Sequence, residues 1–354
     1  MSKVKALSKK PLFLPIVSMI LVMLVNIVYD VAHGNSFYNF FTITINNGIL
    51  YGRIIDILNR GSEAAILALG MTLVVSASAG TDISVGSVMS LAGGVCCVLL
   101  AGYGNVNVNS YAVPLAVGVL AGILVACFCG AFNGFLVAYM KIQPMVATLI
   151  LYSAGRAIGL LLCNSNIVYV NVPSFKFFGG YCGIFPTPIL ITVMCVLAVV
   201  LVLRLTALST YVQAVGINKN AARLSGYKSD MIIFISFVIC GLFAGIAGIV
   251  ATSRIYSADT NNIGLNLEMD AILAVALGGN SLGGGKFRIS GSIIGAYTIQ
   301  AITTTMYNLG VSSAVSPVFK AVVVIVIVAI QSQPLQNWIK KHRAHAAGKE
   351  AAKV

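Results

Sequence analysis

Ionisable side chains set among long apolar runs are the residues of this sequence with chemistry to offer. Asp82 lies in the polar break G-T-D-I-S-V-G between two apolar stretches, and Arg156 falls inside another. Glu268 and Asp270 open a short apolar run that follows S-A-D-T-N-N. A charge at bilayer depth is costly, so such groups face a bundle interior or an aqueous cavity and mark the route of a substrate or ion. On this ground Thr81, Asp82, Ser84, Asn261, Asn262, Glu268, Asp270 and Asn280 are the candidate substrate-path residues. A second role fits some of them equally. Asp82 with Ser84, and Asp270 at a helix start, can cap helix N-termini, where side-chain oxygens take up free amides and the dipole favours negative charge. The two roles are compatible. Arg156 is expected to be structural, its guanidinium either snorkelling to an interface or pairing with a buried carboxylate.

Covalent and metal chemistry have little to work with. His342 and His345 sit in a basic tail and His33 follows the first apolar run, so no His/carboxylate cluster forms. Of eight Cys, six (Cys96, Cys97, Cys127, Cys129, Cys195, Cys240) lie inside apolar runs as small hydrophobes, and no C-x-x-C pair is present. No catalytic residue, metal site or cofactor is therefore expected. The run G-G-N-S-L-G-G-G-K-F from Gly278 to Phe287 resembles a phosphate loop, but Asn280 replaces its first glycine and Phe287 stands where Ser or Thr must hold magnesium. Any ATP used by this system must bind another polypeptide.

The elements that carry these residues are membrane spans. Of 354 residues 58% are hydrophobic and 9% charged, too few charges to make a water-facing surface. Ten apolar runs are expected to cross the bilayer: 12–29, 61–79, 86–102, 112–140, 144–163, 187–205, 231–253, 267–281, 289–309 and 315–332. The fold class is thus an all-α polytopic bundle forming a single transmembrane domain. Lys and Arg in the tails 1–11 and 335–354 place both termini in the cytoplasm, with Lys141, the loop 206–230 and Lys286 to Arg288 on the same side. The net charge of +13 is scattered over loops and termini and points to no nucleic-acid partner.

Two features strain this threading. Arg53 and Arg60 fall outside, which an interfacial helix at 51–60 would explain, and the eighth run is short, which suggests a discontinuous helix inside the bundle, as does the break at Gly80 to Gly86. Glycine-rich stretches near Gly93 and from Gly241 to Gly248 predict close helix packing. An echo between Asp82–Met89 and Arg288–Gly295 would suit a duplicated transporter half. The longest polar loop holds a helix-forming run, Asn220 to Leu224, bounded by Gly216 and Gly226; it is either a docking knob on the inner face or an ordinary connection.

Three ordered stretches carry a resemblance: Gly70 to Val88, Ala214 to Gly226 and Leu267 to Gly279. They resemble the ribose, xylose and galactose type permeases of bacterial ATP-binding-cassette importers, and the likeness runs over nearly the whole chain. Within that family Ile55 to Arg60, Lys141 to Leu151 and Ala258 to Leu265 look most like the galactofuranose importer's permease. The family usually reads G-G-I-D-L-S-V-G, from which Ala79 and Thr81 depart. The resemblance implies a bacterial inner-membrane protein that moves a monosaccharide by alternating access. Its implied partners are separate ATPase subunits, an extracytoplasmic sugar-binding protein and a second permease, as a homodimer or heterodimer. It also implies that Gly216, Asn218, Asn220, Ala221, Ala222, Arg223 and Gly226 seat in a groove of the ATPase. The rival expectation is a secondary sugar transporter driven by an ion gradient, with Asp82, Glu268 or Asp270 as the coupling site.

Overall fold

The computed structural model describes residues 12–32, 37–46, 48–312, 315, 317–322 and 325, so the basic tails 1–11 and 335–354 and most of the tenth run lie outside the described residues. Eleven α-helices occur among those described. They are α1 (Phe13–Ala32), α2 (Arg53–Ser78), α3 (Val85–Ala101), α4 (Leu115–Ala138), α5 (Pro144–Leu162), α6 (Thr187–Leu205), α7 (Leu208–Ile217), α8 (Lys219–Leu224), α9 (Ser229–Ile255), α10 (Leu267–Leu277) and α11 (Ile289–Asn308). Residues 317–322 are also helical. Six of the helices, α1, α2, α4, α5, α6 and α9, are long and apolar enough to cross a membrane.

The order of layers follows side-chain size. α2 and α9 form the centre, because small residues such as Gly61, Ala64, Ala65, Ala68 and Gly70 let neighbours approach closely. At the α4/α9 crossing Gly130 and Gly241 lie against each other's backbones and leave no room for a Cβ. The largest exposed apolar side chains, among them Leu124, Phe128, Met194 and Leu197, cover the outward faces of α4 and α6, as expected for helices whose solvent is lipid. Cys96, Cys97, Cys129, Cys195 and Cys240 are buried and Cys127 is partly so, in keeping with small apolar residues.

Both bundle ends have a character of their own. One end carries seven short strands, a departure from the all-α expectation: the hairpins β1 (Thr44–Asn46)/β2 (Ile49–Tyr51) and β5 (Tyr181–Cys182)/β6 (Phe185–Pro186), and a sheet ordered β3 (Asn107–Val108), β4 (Val168–Val170), β7 (Ser257–Ala258). Leu50 N–H donates to Ile184 O and ties the hairpins together. The other end gathers Lys141, Lys219, Arg223, Lys286 and Arg288. Here Asp230 holds Lys141 at 2.5 Å and Lys219 at 2.9 Å, joining the α4–α5 turn to the start of α8.

Two expectations need correction. Residues 53–60 are not a separate interfacial helix but the first turns of the 26-residue α2. At about 1.5 Å per residue that helix is longer than a bilayer core, so its head emerges at the strand end, where Arg53 pairs with Asp30 at 2.6 Å. The eighth run is an 11-residue helix, about 16 Å long, which cannot cross alone. The echoing segments at Asp82 and Arg288 do lead into helices, α3 and α11.

Candidate functional site

The half-length α10 is fed by a segment that leaves β7 at the strand end and runs non-helically into the bundle. Its course is set by local hydrogen bonds. Asp259 Oδ1 accepts from the amides of Asn261 and Asn262 at 3.2 Å, Thr260 O accepts from Ser90 Oγ of α3 at 2.8 Å, and Gly264, at φ +72°, lies against the backbone of Gly86. Irregular backbone is tolerated at this depth only where its polar groups are paired inside the protein. Arg156 does that pairing. Its Nη1 donates to the carbonyls of Thr260 (2.7 Å), Asn261 (2.7 Å) and Ile263 (3.2 Å), so the guanidinium neither snorkels nor needs a carboxylate in hydrogen-bond contact.

At the head of α10 the two predicted carboxylates part company. Glu268, 1% exposed, turns against Gly86, where any side chain would collide with it; its charge faces Arg156, and its Oε2 has no hydrogen-bond partner among the described residues. Asp270 turns instead towards a cavity of about 650 Å³ and pairs through Oδ2 with Lys320 at 2.8 Å. The same cavity is lined by Arg60 and Glu63 of α2, Arg254 of α9, Asn266 and Met269 beside α10, and Gln300, Thr303 and Tyr307 of α11. Arg254 Nη2 reaches Glu63 Oε1 at 3.2 Å and donates to Asn59 O at 2.9 Å. Arg60 is exposed and makes no ion pair within 4.0 Å among the described residues. The cavity's volume is that of a small-molecule cleft, roughly 300–1,000 Å³. Its amides, carboxylates and guanidinium groups offer both donors and acceptors to a polyhydroxylated ligand, and Tyr307 adds an amphipathic ring.

The other predicted path residues lie apart from this cavity. Asp82 Oδ1 accepts from the amide (2.9 Å) and hydroxyl (2.7 Å) of Ser84, whose Oγ in turn accepts from Asn133 Nδ2 at 2.8 Å, an arrangement that organises the turn into α3. Thr81 is buried in that turn, and Asn261 and Asn262 are exposed on the re-entrant segment. Asn280 clips a loop shut: its Oδ1 accepts from Arg288 N–H at 2.7 Å, and its Nδ2 donates to Ser292 Oγ at 2.9 Å. Of the eight candidates, Asp270 alone lines the cavity. Glu63, Arg254, Gln300 and Lys320 were missed, although the depth argument that singled out Arg156 applies equally to Glu63, inside the run 61–79.

The loop 206–230 folds as α7 and α8. Asn218 caps α8 by accepting from the amides of Asn220 and Ala221 at 3.0 Å. Gly216 is not the helix boundary expected of it: it lies inside α7 and touches Ser76 O at the end of α2 and Gly285 N. Ala222 is buried, while Asn220, Ala221, Arg223 and Gly226 are exposed beside Leu224, 91% exposed, and Ile217, 75% exposed. This is a projecting surface with apolar tips. The Gly278–Phe287 loop packs against it. Gly285 N–H donates to Ser76 O at 3.1 Å and Ser76 Oγ donates to Lys286 O at 2.7 Å, so at least one amide a phosphate would need is already used internally.

A family model described as the permease component of a branched-chain amino acid transport system matches residues 53–330. This chain belongs to that permease family. The permease is a multi-pass inner-membrane protein and a transport subunit rather than an enzyme. It is 41% identical to the galactofuranose transporter permease protein of Escherichia coli strain K12, over 86% of this chain and 87% of that one. It is 38% identical to the fructose import permease protein of Bifidobacterium longum strain NCC 2705, over 87% and 85%, and 36% identical to the ribose import permease protein of Escherichia coli strain K12, over 83% and 88%. No solved structure matches the permease.

Proposed function

We propose that this permease is the membrane-spanning subunit of an ATP-binding-cassette importer that carries a monosaccharide, of the galactofuranose, ribose or fructose kind its relatives' names specify, by alternating access. The observation that carries the reading is a continuous packed route from the inner-face projection to the cavity. α8 adjoins α7, Gly216 of α7 lies on Ser76 and Gly285, and the loop holding Gly285 joins α10, with Asp270, to α11. A separate ATPase gripping Asn218 to Gly226 would move α7 and that loop. The loop would shift α10 against α2 and α9, exposing the cavity to each side in turn. The ligand would rest among Asp270, Lys320, Glu63, Arg254 and Gln300, received from an extracytoplasmic binding protein at the strand end.

In this reading the re-entrant segment and α10 together make one crossing, so ten crossings remain and both termini are cytoplasmic. The concentration of Lys and Arg at the end bearing α7 and α8 supports that orientation. A second permease, identical or different, completes the pathway.

The test is uptake of radiolabelled galactofuranose, ribose and fructose by cells carrying the permease with its ATPase. Deleting Asn220 to Gly226 is expected to abolish uptake while leaving the protein membrane-inserted, and uptake should survive an uncoupler. Accumulation by the permease alone on an ion gradient would overturn the reading.

A further inference from the structure

A second cavity, of about 440 Å³, opens at the basic end between α6 and α11, away from the sugar route. Its deep wall is apolar, formed by Val196 and Val200 of α6 and Ile293 of α11, and its rim is polar, formed by Ser209, Arg288 and Ser290. None of the lining residues is acidic. The Arg288 backbone is engaged by Asn280, but its half-buried side chain makes no hydrogen bond or ion pair among the described residues. Since α6 runs toward the basic end and α11 away from it, the apolar wall extends from the rim into the bilayer. Leu203 to Val196 covers about 10 Å of helix.

We infer that this groove holds one anionic phospholipid of the inner leaflet, its phosphate on Arg288 and the two hydroxyls, and one acyl chain along Val200, Val196 and Ile293. The chemistry selects this occupant over the simpler ones. A free anion would satisfy the guanidinium and leave the apolar wall bare, whereas an uncharged chain would cover the wall and leave a desolvated cation without a counter-charge. Basic pockets between spans on the cytoplasmic side are the general setting for such headgroups. Because Ser209 belongs to α7 and Arg288 starts α11, the lipid would bridge the projecting element to the core helix behind it.

The test is native mass spectrometry of the purified permease titrated with phosphatidylglycerol or phosphatidylcholine. One phosphatidylglycerol should be retained in preference to phosphatidylcholine, and Arg288→Gln should weaken that retention about fivefold. Arg204→Gln, which removes an exposed charge outside the groove on the same helix end, should change nothing. Val200→Trp leaves Arg288 in place and fills the wall, so it should also expel the lipid, an arm that stands even where Arg288→Gln fails to fold. Equal retention of phosphatidylcholine, competition by millimolar inorganic phosphate, unchanged binding in Val200→Trp, or loss of a dimer in place of a lipid would each overturn the assignment.

Discussion

The break at Ala79–Ser84 and the re-entry at Asp259–Asn266 look alike in sequence, each a short polar stretch with Gly and Asp between apolar runs, and they do opposite things. The first is closed. Asp82 has its oxygen taken by Ser84, Ser84 is backed by Asn133, and Gly80 packs on Pro144 at the basic end of α5. The second is open, because Arg156 from a neighbouring helix satisfies its carbonyls and frees Asp270 to face the cavity. A carboxylate in an apolar protein becomes available to a ligand when another residue does the local structural work, and the difference between the two regions lies in that division of labour.

The largest effect should come from removing the support of the open site. Arg156→Met leaves three carbonyls unpaired and Glu268 without its counter-charge, and is expected to cost about 3–5 kcal/mol, read as loss of folded protein in a thermal melt in detergent. If the variant melts like the parent, the re-entrant segment is not held by Arg156. Next comes Asp82→Asn, which weakens a charge-assisted bond in the closed site and should cost about 2 kcal/mol, with uptake per folded molecule unchanged. Asp270→Asn reverses the pattern. It should cost about 1 kcal/mol or less in stability, since the pair faces an open cavity, yet lower uptake per folded molecule about tenfold. Combining it with Lys320→Met should add little further loss, a non-additivity of about 1 kcal/mol in a double-mutant cycle on uptake.

The smallest effect is expected at Ala79, which ends α2 with φ +53°, a left-handed conformation that costs a residue with a Cβ about 1 kcal/mol. Ala79→Gly, restoring the residue of the related permeases' motif, should raise the melting free energy by about 0.5–1 kcal/mol without altering transport. A destabilised Ala79→Gly would mean that its Cβ contact with the Gly284 backbone matters more than the strain.

How much of this was readable beforehand can be judged residue by residue. The spans at 144–163 and 187–205 match α5 and α6 within a residue, because an apolar run bounded by Pro and by polar residues defines a helix locally. The Asn220–Leu224 docking run was recognisable for the same reason, with Asn218 as a standard cap. Gly216 was misread as a boundary since its close approach is to Ser76 and Gly285, residues far away in the chain. Glu63 and Lys320 escaped notice because nothing adjacent to them announces the cavity they share with Asp270 and Arg254.

Composition and periodicity alone settled that the chain lives in lipid, where its spans begin and end, and that it carries no fuel site of its own. These are properties of short stretches against a uniform solvent. Which face of each nearly featureless apolar helix turns inward, which carboxylate is spent on a turn and which is left to meet a ligand, and the cavity itself came only from packing, since they depend on partners such as Arg156 and Thr260 that stand 104 residues apart.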